Sequence, residues 1–393
     1  MSNSVIYFDN AATSWPKPPA VAQAMAKFLA EDAANPGRAG HRMAVAAERM
    51  LDRVRKQLAD LVGGTDFHRM IFTMNGTDAL NIAMKGLLRA GDHVVTTTLE
   101  HNSVSRPLQA MADSGFITLT RVAFSPETGV IDVDDVRRAI SPKTRMVAMT
   151  HASNVLGTIQ PVAEVGRVVR EAGGRVRFLV DAAQTIGALP IDVTAMGIDL
   201  LAFPGHKSLL GPTGTGALYV NTTVTLEELT PFREGGTGGD SSSPVQPRLF
   251  PYLLEGGTPN TVGVAGLGAA VEYVAGHQGE GGALAREQEM VAAVLEALAG
   301  NPKLMVYGPK GRDGAKRRVG TVSFNVEGYT PQEVGSILDE SFSIAVRPGL
   351  HCAPYVHRGI GTFPDGAVRV SPGAFNTQTD LQTLLGALAE LVA

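Results

Sequence analysis

A lysine and a histidine stand side by side in the segment GHKSLLGPTGTG, residues 205–216, just after an apolar stretch at 198–203. The glycines around Lys207 predict a tight turn, which would place its amine at the carboxyl end of a strand. Ligands of open α/β sheets bind at that end. A single lysine is usually a solvated surface residue. The preceding apolar strand and the adjacent His206 favour a ligand site here.

An aspartate ends a second apolar stretch, FLVDAAQ at 178–184. The carboxylate of Asp181 can hold a protonated ring nitrogen, and Gln184 can donate to a ring substituent. Both residues can equally form the turn after the strand, because Asp favours such turns. The segment therefore offers a carboxylate at a strand end without specifying its partner.

The segment MNGTDALN, residues 74–81, lies between a predicted strand and a predicted helix. Gly76 and Thr77 would open that helix, and the free N–H groups of a helix N-terminus suit a phosphate. Ordinary helix capping is the alternative for this pattern.

The one cysteine of the chain, Cys352, lies in RPGLHCAP at 347–354. Positive neighbours such as Arg347 favour the thiolate, which is the nucleophilic form. An inert buried cysteine is the alternative, although a loop flanked by glycine and proline is a poor place to bury one. Arg369, in RVSPGAFNT at 369–377, can hold a carboxylate through two parallel hydrogen bonds or can be a surface arginine.

His101 in LEHNSV and Asn154 in HASNVLGT each follow a predicted strand. A histidine there can stack on a planar cofactor or transfer protons, and an asparagine can donate to a cofactor oxygen. A capping or core histidine and a turn asparagine are the alternatives.

One cofactor accounts for all five segments. Pyridoxal 5′-phosphate needs a lysine that forms an imine, a carboxylate for its ring nitrogen and a helix N-terminus for its phosphate.

Alternating strands and helices must position these residues. Such alternation predicts an α/β fold with a mainly parallel seven-stranded sheet and helices on both faces. The predicted strands are 69–73, 93–98, 117–123, 145–150, 176–181, 198–203 and 216–220. The predicted helices are 41–62, 77–88, 104–113, 132–140 and 161–172.

The pattern changes after about residue 221, where a loop rich in glycine, serine and proline occupies 233–251. Long helices are predicted at 260–277 and 282–299, and shorter ones at 331–340 and 377–391. Strands are predicted near 303–307, 318–325, 343–346 and 366–371. We expect a large cofactor-binding domain at 21–260 and a smaller α+β domain at 261–393 that carries the cysteine. Residues 1–20 should pack on the small domain and the active site.

Composition excludes several classes of protein. The 393 residues are 44% hydrophobic and 18% charged, as in ordinary globular proteins. A net charge of −4 argues against nucleic acid as a partner. A single cysteine excludes an intrachain disulfide and a cysteine-rich metal site, so no metal is expected. No apolar run reaches the ~18 residues of a membrane span, and no signal peptide is visible, so the cytoplasm is expected.

Together these segments resemble the class V aminotransferase family, within the fold-type I pyridoxal-phosphate enzymes. The resemblance is strongest to the short-loop cysteine desulfurases, a group that includes selenocysteine lyase-like enzymes. It runs from YFDNAATSWPKP at 7–18 to RVSPGAFNT at 369–377. The ordered set of Asp181, Gln184, the GHK triplet, Cys352 and Arg369 is what makes it specific.

The resemblance implies a homodimeric enzyme that converts L-cysteine to L-alanine and leaves a persulfide for a sulfur-acceptor protein. The resemblance implies imine formation with the cofactor for Lys207 and pairing with the ring nitrogen for Asp181. It implies contacts near the ring oxygen and substrate for Gln184 and Asn154, and stacking and catalysis for His101. It also implies phosphate binding for Gly76, Thr77 and His206, substrate binding for Arg347 and Arg369, and the role of nucleophile for Cys352. It also implies that a threonine of the partner subunit, for which Thr237 in GGTGGDSS is the candidate, completes the phosphate site.

Three departures from the group's pattern indicate a divergent branch, and one of them is Ala182 at a position where glycine is usual. Pro204 stands where many relatives have a phosphate-binding serine, and Asn102 replaces a second histidine. The alternatives left open are L-selenocysteine or another thiol amino acid as substrate, an aminotransferase in which Cys352 is structural, and a non-enzymatic scaffold.

Overall fold

The computed structural model describes residues 5–37, 40–237, 242–277 and 282–392. The strands there are β1 (Ile6–Tyr7), β2 (Met70–Thr73), β3 (Asp92–Thr97), β4 (Ile117–Val122), β5 (Thr144–Thr150), β6 (Arg177–Asp181), β7 (Leu200–Pro204), β8 (Gly216–Val220), β9 (Leu304–Val306), β10 (Val322–Val326), β11 (Ile344–Ala345), β12 (Arg347–Gly349) and β13 (Ala367–Val370). The helices are α1 (Pro19–Glu31), α2 (Arg42–Leu61), α3 (Gly76–Leu87), α4 (Asn102–Asp113), α5 (Val133–Ala139), α6 (Val162–Glu171), α7 (Thr261–Ala275), α8 (Ala283–Ala299), α9 (Gly311–Lys316), α10 (Pro331–Phe342), α11 (Pro354–Gly359) and α12 (Gln378–Leu391).

Seven strands form the large sheet, in the order β2-β8-β7-β6-β5-β3-β4. Every neighbouring pair is parallel except those that include β8, which runs antiparallel to β2 and to β7. The prediction of an α/β fold with a mainly parallel seven-stranded sheet is therefore confirmed. Central strands such as β5 are buried along their whole length, as expected for a sheet covered on both faces.

Successive residues of the central strands enter two different apolar cores. Phe178 and Val180 of β6 belong to the core that α2, α6 and α7 cover. Leu179, between them, belongs to the core that α3 and α4 cover. This alternation with a period of two places helices on both faces of the sheet.

The C-terminal part of the chain forms a second, antiparallel sheet in the order β12-β13-β10-β9. Helices α8, α10 and α12 bury their apolar residues against it in a third core. The first strand of the chain joins this part, because β1 pairs in parallel with β11 and Asp9 bridges to Ser371. The N-terminal segment thus lies beside the small sheet.

The loop after β5 connects the two sheets through hydrogen bonds. Buried Arg318 donates to the carbonyl of Leu156, and Ser323 donates to the carbonyl of Val155 at 2.6 Å. Arg369 of β13 donates to the carbonyl of Asn154 at 3.0 Å. These contacts hold the small sheet against the carboxyl ends of the large one.

Across the part of the chain that the structure describes, no helix is both long and apolar enough to cross a bilayer.

Candidate active site

A cavity of about 240 Å³ lies where the carboxyl ends of the large sheet meet the small sheet. All the predicted site residues except one line this cavity. They are Gly76, Thr77, His101, Asn154, Asp181, Gln184, His206, Lys207, Arg347, Cys352 and Arg369. Segments distant in the sequence are therefore brought together at one place.

An amine and a carboxylate occupy the floor of this cavity. Asp181 ends β6, is 4% exposed, and accepts a hydrogen bond from the Ala183 N–H at 2.9 Å. Burial raises its pKa, while the backbone hydrogen bond and the Lys207 amine oppose that effect. Burial lowers the pKa of Lys207 to about 8, although Asp181 favours the charged amine. Lys207 follows β7 and lines the cavity instead of extending into solvent.

The N-terminus of α3 forms one wall. Asn75 caps this helix by accepting from the Asp78 N–H at 2.9 Å, and Gly76 and Thr77 form its first turn. A Cβ at Gly76 would lie 3.2 Å from the ring of Pro204, so this wall is closely packed. The N-terminus of α3 is therefore capped and also lies at the cavity, where the N–H groups of its first turn suit an anion.

His101 caps α4 and also lines the cavity. Its Nδ1 accepts from the Ser103 N–H at 3.0 Å and lies 2.9 Å from the Ser103 hydroxyl. That hydroxyl lies 2.7 Å from the hydroxyl of Thr77, which links the two helix N-termini. Burial, and then the charge of Lys207, lower the pKa of His101 to about 4, so its ring is neutral at neutral pH. His101 is thus the N-cap of α4, and its ring also lines the cavity.

His206 carries a buried polar atom that needs a partner. Its Nδ1 has no hydrogen-bond partner among the described residues. Its carbonyl is satisfied by Lys17 at 2.8 Å and Ser14 at 3.0 Å, which ties the N-terminal segment to this turn. Burial, and then Lys207, lower the pKa of His206 to about 4. Nearby, the Gln184 amide donates to the carbonyl of Ala11 at 3.1 Å.

Cys352 is exposed and lies in an unusual backbone conformation. Both His351 (φ 49°) and Cys352 (φ 57°) occupy the left-handed region, which is costly for residues other than glycine. The carbonyl of Cys352 accepts from the Asn102 N–H at 2.7 Å, and that of His351 accepts from the Asn154 amide at 2.6 Å. Contacts from the large sheet's loops therefore hold the cysteine loop in place.

Arg369 is almost completely buried, with 2% of its surface exposed, so the alternative of a surface arginine is excluded. It pairs with Asp9 at 2.7 Å, and Asp9 also lies 3.8 Å from the half-exposed Arg347. Sequence reasoning missed Asp9. An acidic residue in the motif YFDNAATSW was the available signal, but nothing local linked it to residues 360 positions away.

Glu100 is a second residue that sequence reasoning missed. It is fully buried, and its Oε1 accepts from the Thr97 hydroxyl at 2.6 Å and the Thr150 N–H at 3.1 Å. Its Oε2 has no partner in the described part of the chain. Burial raises its pKa to about 8, and the charge of Asp181 contributes in the same direction. An acid directly after an apolar strand was the signal that could have identified it.

Thr237 is the one predicted residue that lies elsewhere in its own chain. It lines a separate cavity of about 680 Å³ together with Arg55, Phe250 and Glu255. The rest of its motif, residues 238–241, lies outside the described residues. A contribution of Thr237 to a partner's phosphate site stays a prediction.

Known proteins are similar to this chain in both sequence and architecture. The model of the family described as Aminotransferase class-V matches residues 6–384. A probable cysteine desulfurase of Methanothermobacter thermautotrophicus is 36% identical, over 99% of this chain and 94% of that protein. A cysteine desulfurase of Escherichia coli O157:H7 is 34% identical, over 88% of this chain and 84% of that protein.

Two solved structures of cysteine desulfurases are similar to this chain in fold. The apo cysteine desulfurase of Thermococcus onnurineus has a TM-score of 0.91 at 36% identity and covers 99% of this chain and 95% of that one. An Escherichia coli cysteine desulfurase has a TM-score of 0.86 at 28% identity and covers 100% of this chain and 96% of that one.

Proposed function

The chain belongs to the class V aminotransferase family, and from that premise we propose that it is a cysteine desulfurase dependent on pyridoxal 5′-phosphate. It would convert L-cysteine to L-alanine and retain the sulfur on Cys352. The observation that carries this proposal is that Lys207, Asp181 and Cys352 line one cavity together with a buried arginine, Arg369.

The residues of the cavity fit this cofactor. Burial raises the pKa of Asp181, so its carboxylate needs a cationic partner to stay charged, and a protonated ring nitrogen would supply one. The buried Nδ1 of His206 lacks a partner among the described residues, and the N-terminus of α3 offers N–H groups to a phosphate. Pro204 has no N–H and no hydroxyl to donate, so the phosphate would depend on Thr77, His206 and the helix N-terminus.

Lys207 and Asp181 would hold the cofactor, and the neutral ring of His101 would stack against it. When bound, pyridoxal 5′-phosphate supplies an electron sink that makes the Cα proton of an amino acid acidic. The Lys207 amine then moves the proton away from the substrate Cα and returns one during release of alanine. Its pKa of about 8 leaves part of the amine neutral at neutral pH, which is the form that accepts a proton.

Arg369 would bind the substrate carboxylate. Its guanidinium is planar and can donate two parallel hydrogen bonds to one carboxylate. Asn154 and Arg347 line the same cavity and flank that position. Burial of Arg369 strengthens its interaction with a carboxylate, because water competes less for the charge.

Cys352 would take the sulfur from the substrate. Its thiolate attacks the substrate sulfur, so a sulfur–sulfur bond forms while the carbon–sulfur bond breaks. The substrate Cβ gains a proton, and the products are L-alanine and a persulfide on Cys352. The proton gained at Cβ is balanced by the one that the Cys352 thiol loses when it forms the thiolate, so no further oxidant or reductant is needed. Transfer of the persulfide sulfur to an acceptor protein completes the cycle. A homodimer, with Thr237 of one subunit serving the other, is part of the same proposal.

Replacement of Cys352 tests the proposed function. We expect the purified wild-type protein to bind pyridoxal phosphate, to show its visible absorbance, and to form alanine from L-cysteine. Cys352→Ala should keep the absorbance and lose alanine formation by about 100-fold or more, because the nucleophile is absent. Cys352→Ser is the matched control for size, and it should be equally inactive since a hydroxyl is a poor nucleophile for sulfur.

Two outcomes would contradict the proposal. If Cys352→Ala forms alanine from L-cysteine at the wild-type rate, the cysteine is structural. If the wild-type protein processes L-selenocysteine but not L-cysteine, the substrate is the selenium amino acid.

A further inference from the structure

The carboxylate of Asp9 lies between two arginines of the candidate site. Its Oδ1 is 2.7 Å from Arg369, and its Oδ2 is 3.8 Å from Arg347. The N-terminal segment places it there, because Asp9 bridges in parallel to Ser371, two residues after Arg369. The hydroxyl of Tyr7 also donates to the Asp9 carbonyl at 3.2 Å.

The small sheet brings the two arginines together. β12 and β13 are antiparallel neighbours, and Arg347 and Arg369 are direct cross-strand partners. Like charges directly opposite one another destabilise a sheet. One carboxylate between them therefore compensates one of the two positive charges, and the pair keeps a single net positive charge.

Contacts on two sides fix the guanidinium of Arg369. One terminal nitrogen donates to the carbonyl of Asn154 at 3.0 Å, and the other donates to Asp9 at 2.7 Å. Its Nε has no partner among the described residues. A guanidinium has five N–H donors, so N–H groups remain available for a further acceptor.

We propose that Asp9 is a positioning residue for the substrate carboxylate. It orients Arg369 by accepting a hydrogen bond from the guanidinium, which leaves other N–H groups of Arg369 available for the substrate carboxylate. This inference rests on the proposed function, because it takes an amino acid with a free carboxylate as the ligand. Asp9 itself touches no reacting atom.

Ligand binding separates this role from a merely structural one. The probes are L-alanine, which has a carboxylate, and L-alaninol, in which an alcohol replaces it. Binding to the holoenzyme is measured by calorimetry and by the change in cofactor absorbance. We expect Asp9→Ala to raise the Kd for L-alanine about tenfold or more, and to leave the Kd for L-alaninol unchanged within about twofold.

Two further variants serve as controls. Asp9→Asn keeps an oxygen that can accept from Arg369, so its Kd for L-alanine should stay within about threefold of the wild-type value. Glu171→Ala removes an exposed acid that pairs with Arg137, and it should change neither Kd. If Asp9→Ala does not fold, Asp9→Ser takes its place, because its side chain is shorter than that of aspartate, and the same selective loss of L-alanine binding is expected.

The inference is overturned if Asp9→Ala weakens both ligands equally, or weakens neither. It is also overturned if Asp9→Asn loses L-alanine binding together with L-alaninol binding. A wild-type protein that binds L-alanine but forms no alanine from L-cysteine would contradict the proposed function alone, because the comparison of the two ligands does not require turnover.

Discussion

Burial sets the protonation state of the side chains around the cavity. It lowers the pKa of Lys207 to about 8 and those of His101 and His206 to about 4. It raises the pKa of Asp181 in the same region. Each of these pKa values shifts in the direction that favours the neutral form, because a low-dielectric environment disfavours charge. A cofactor with a protonated ring nitrogen and a phosphate would supply opposite charges for these buried groups.

The buried carboxyl of Glu100 predicts a pH dependence of stability. Its pKa is about 8 in the folded chain, against an ordinary value of 4.5. The folded state therefore holds the proton more tightly, and the contribution to stability is present below about pH 4.5 and lost as the pH rises through about 8. Glu100→Gln cannot titrate.

We expect the wild-type chain to lose more free energy of unfolding than Glu100→Gln between about pH 5 and about pH 8, by on the order of 1 kcal/mol per pH unit. Denaturant unfolding of both proteins at several pH values measures this difference. Parallel curves for the two proteins would show that Glu100 ionises normally.

At the scale of elements, two helix N-termini have both a structural role and a place in the cavity wall. The residues that begin α3 and α4 satisfy helix N–H groups and also line the cavity. The N–H of Asn102, in the first turn of α4, donates to the carbonyl of Cys352. Helix α4 therefore positions the histidine of one wall and the cysteine loop with the same few residues.

Substitution of His101 separates its two roles. His101→Ala removes the side-chain cap of α4 and should cost about 1 kcal/mol of stability. His101→Asn should restore most of that stability, because Asn is a good N-cap, but it supplies no aromatic ring. Thermal unfolding and the absorbance of the bound cofactor report the two effects. If His101→Asn is as unstable as His101→Ala, the cap does not stabilise α4.

At the scale of the whole molecule, the site exists only where the two sheets meet. Lys207 and Asp181 come from the large sheet, whereas Arg347, Cys352 and Arg369 come from the small one. Hydrogen bonds to residues 154–156 are among those that join the two parts. Alignment of nucleophile and amine therefore depends on that loop.

Arg318 is the main side chain at this junction. It is fully buried and donates to the carbonyls of Leu156, Tyr307 and Pro309. Arg318→Met should lower the free energy of unfolding by about 3 kcal/mol or more, because buried acceptors lose their donors. Ser323→Ala removes one hydrogen bond to the same loop and should cost about 1 kcal/mol. Denaturant unfolding measures both losses. A cost for Arg318→Met no larger than that for Ser323→Ala would contradict this role of Arg318.

The local pattern of the chain was sufficient for the large sheet. All seven predicted strands occur within a few residues of their expected limits, because apolar β-branched runs between turn residues have few alternatives. Short elements without a clear period, such as β1, β12 and α11, were not predicted. The predicted strand at 318–325 begins only at Val322, and Arg318 instead donates to the carbonyl of Leu156 in the loop after β5.

The sequence by itself determined the fold class and the chemical types at the site: an amine, a carboxylate, a thiol and an arginine, each in a segment that ends or begins an element. Only the tertiary structure decided their partners. The pairing of Asp9 with Arg369, the burial of Glu100 beside Asp181 and the cross-strand arginine pair all join residues far apart in the chain. Local periodicity carries no information about such contacts, because they arise only when segments that are distant in the sequence become neighbours in the folded chain.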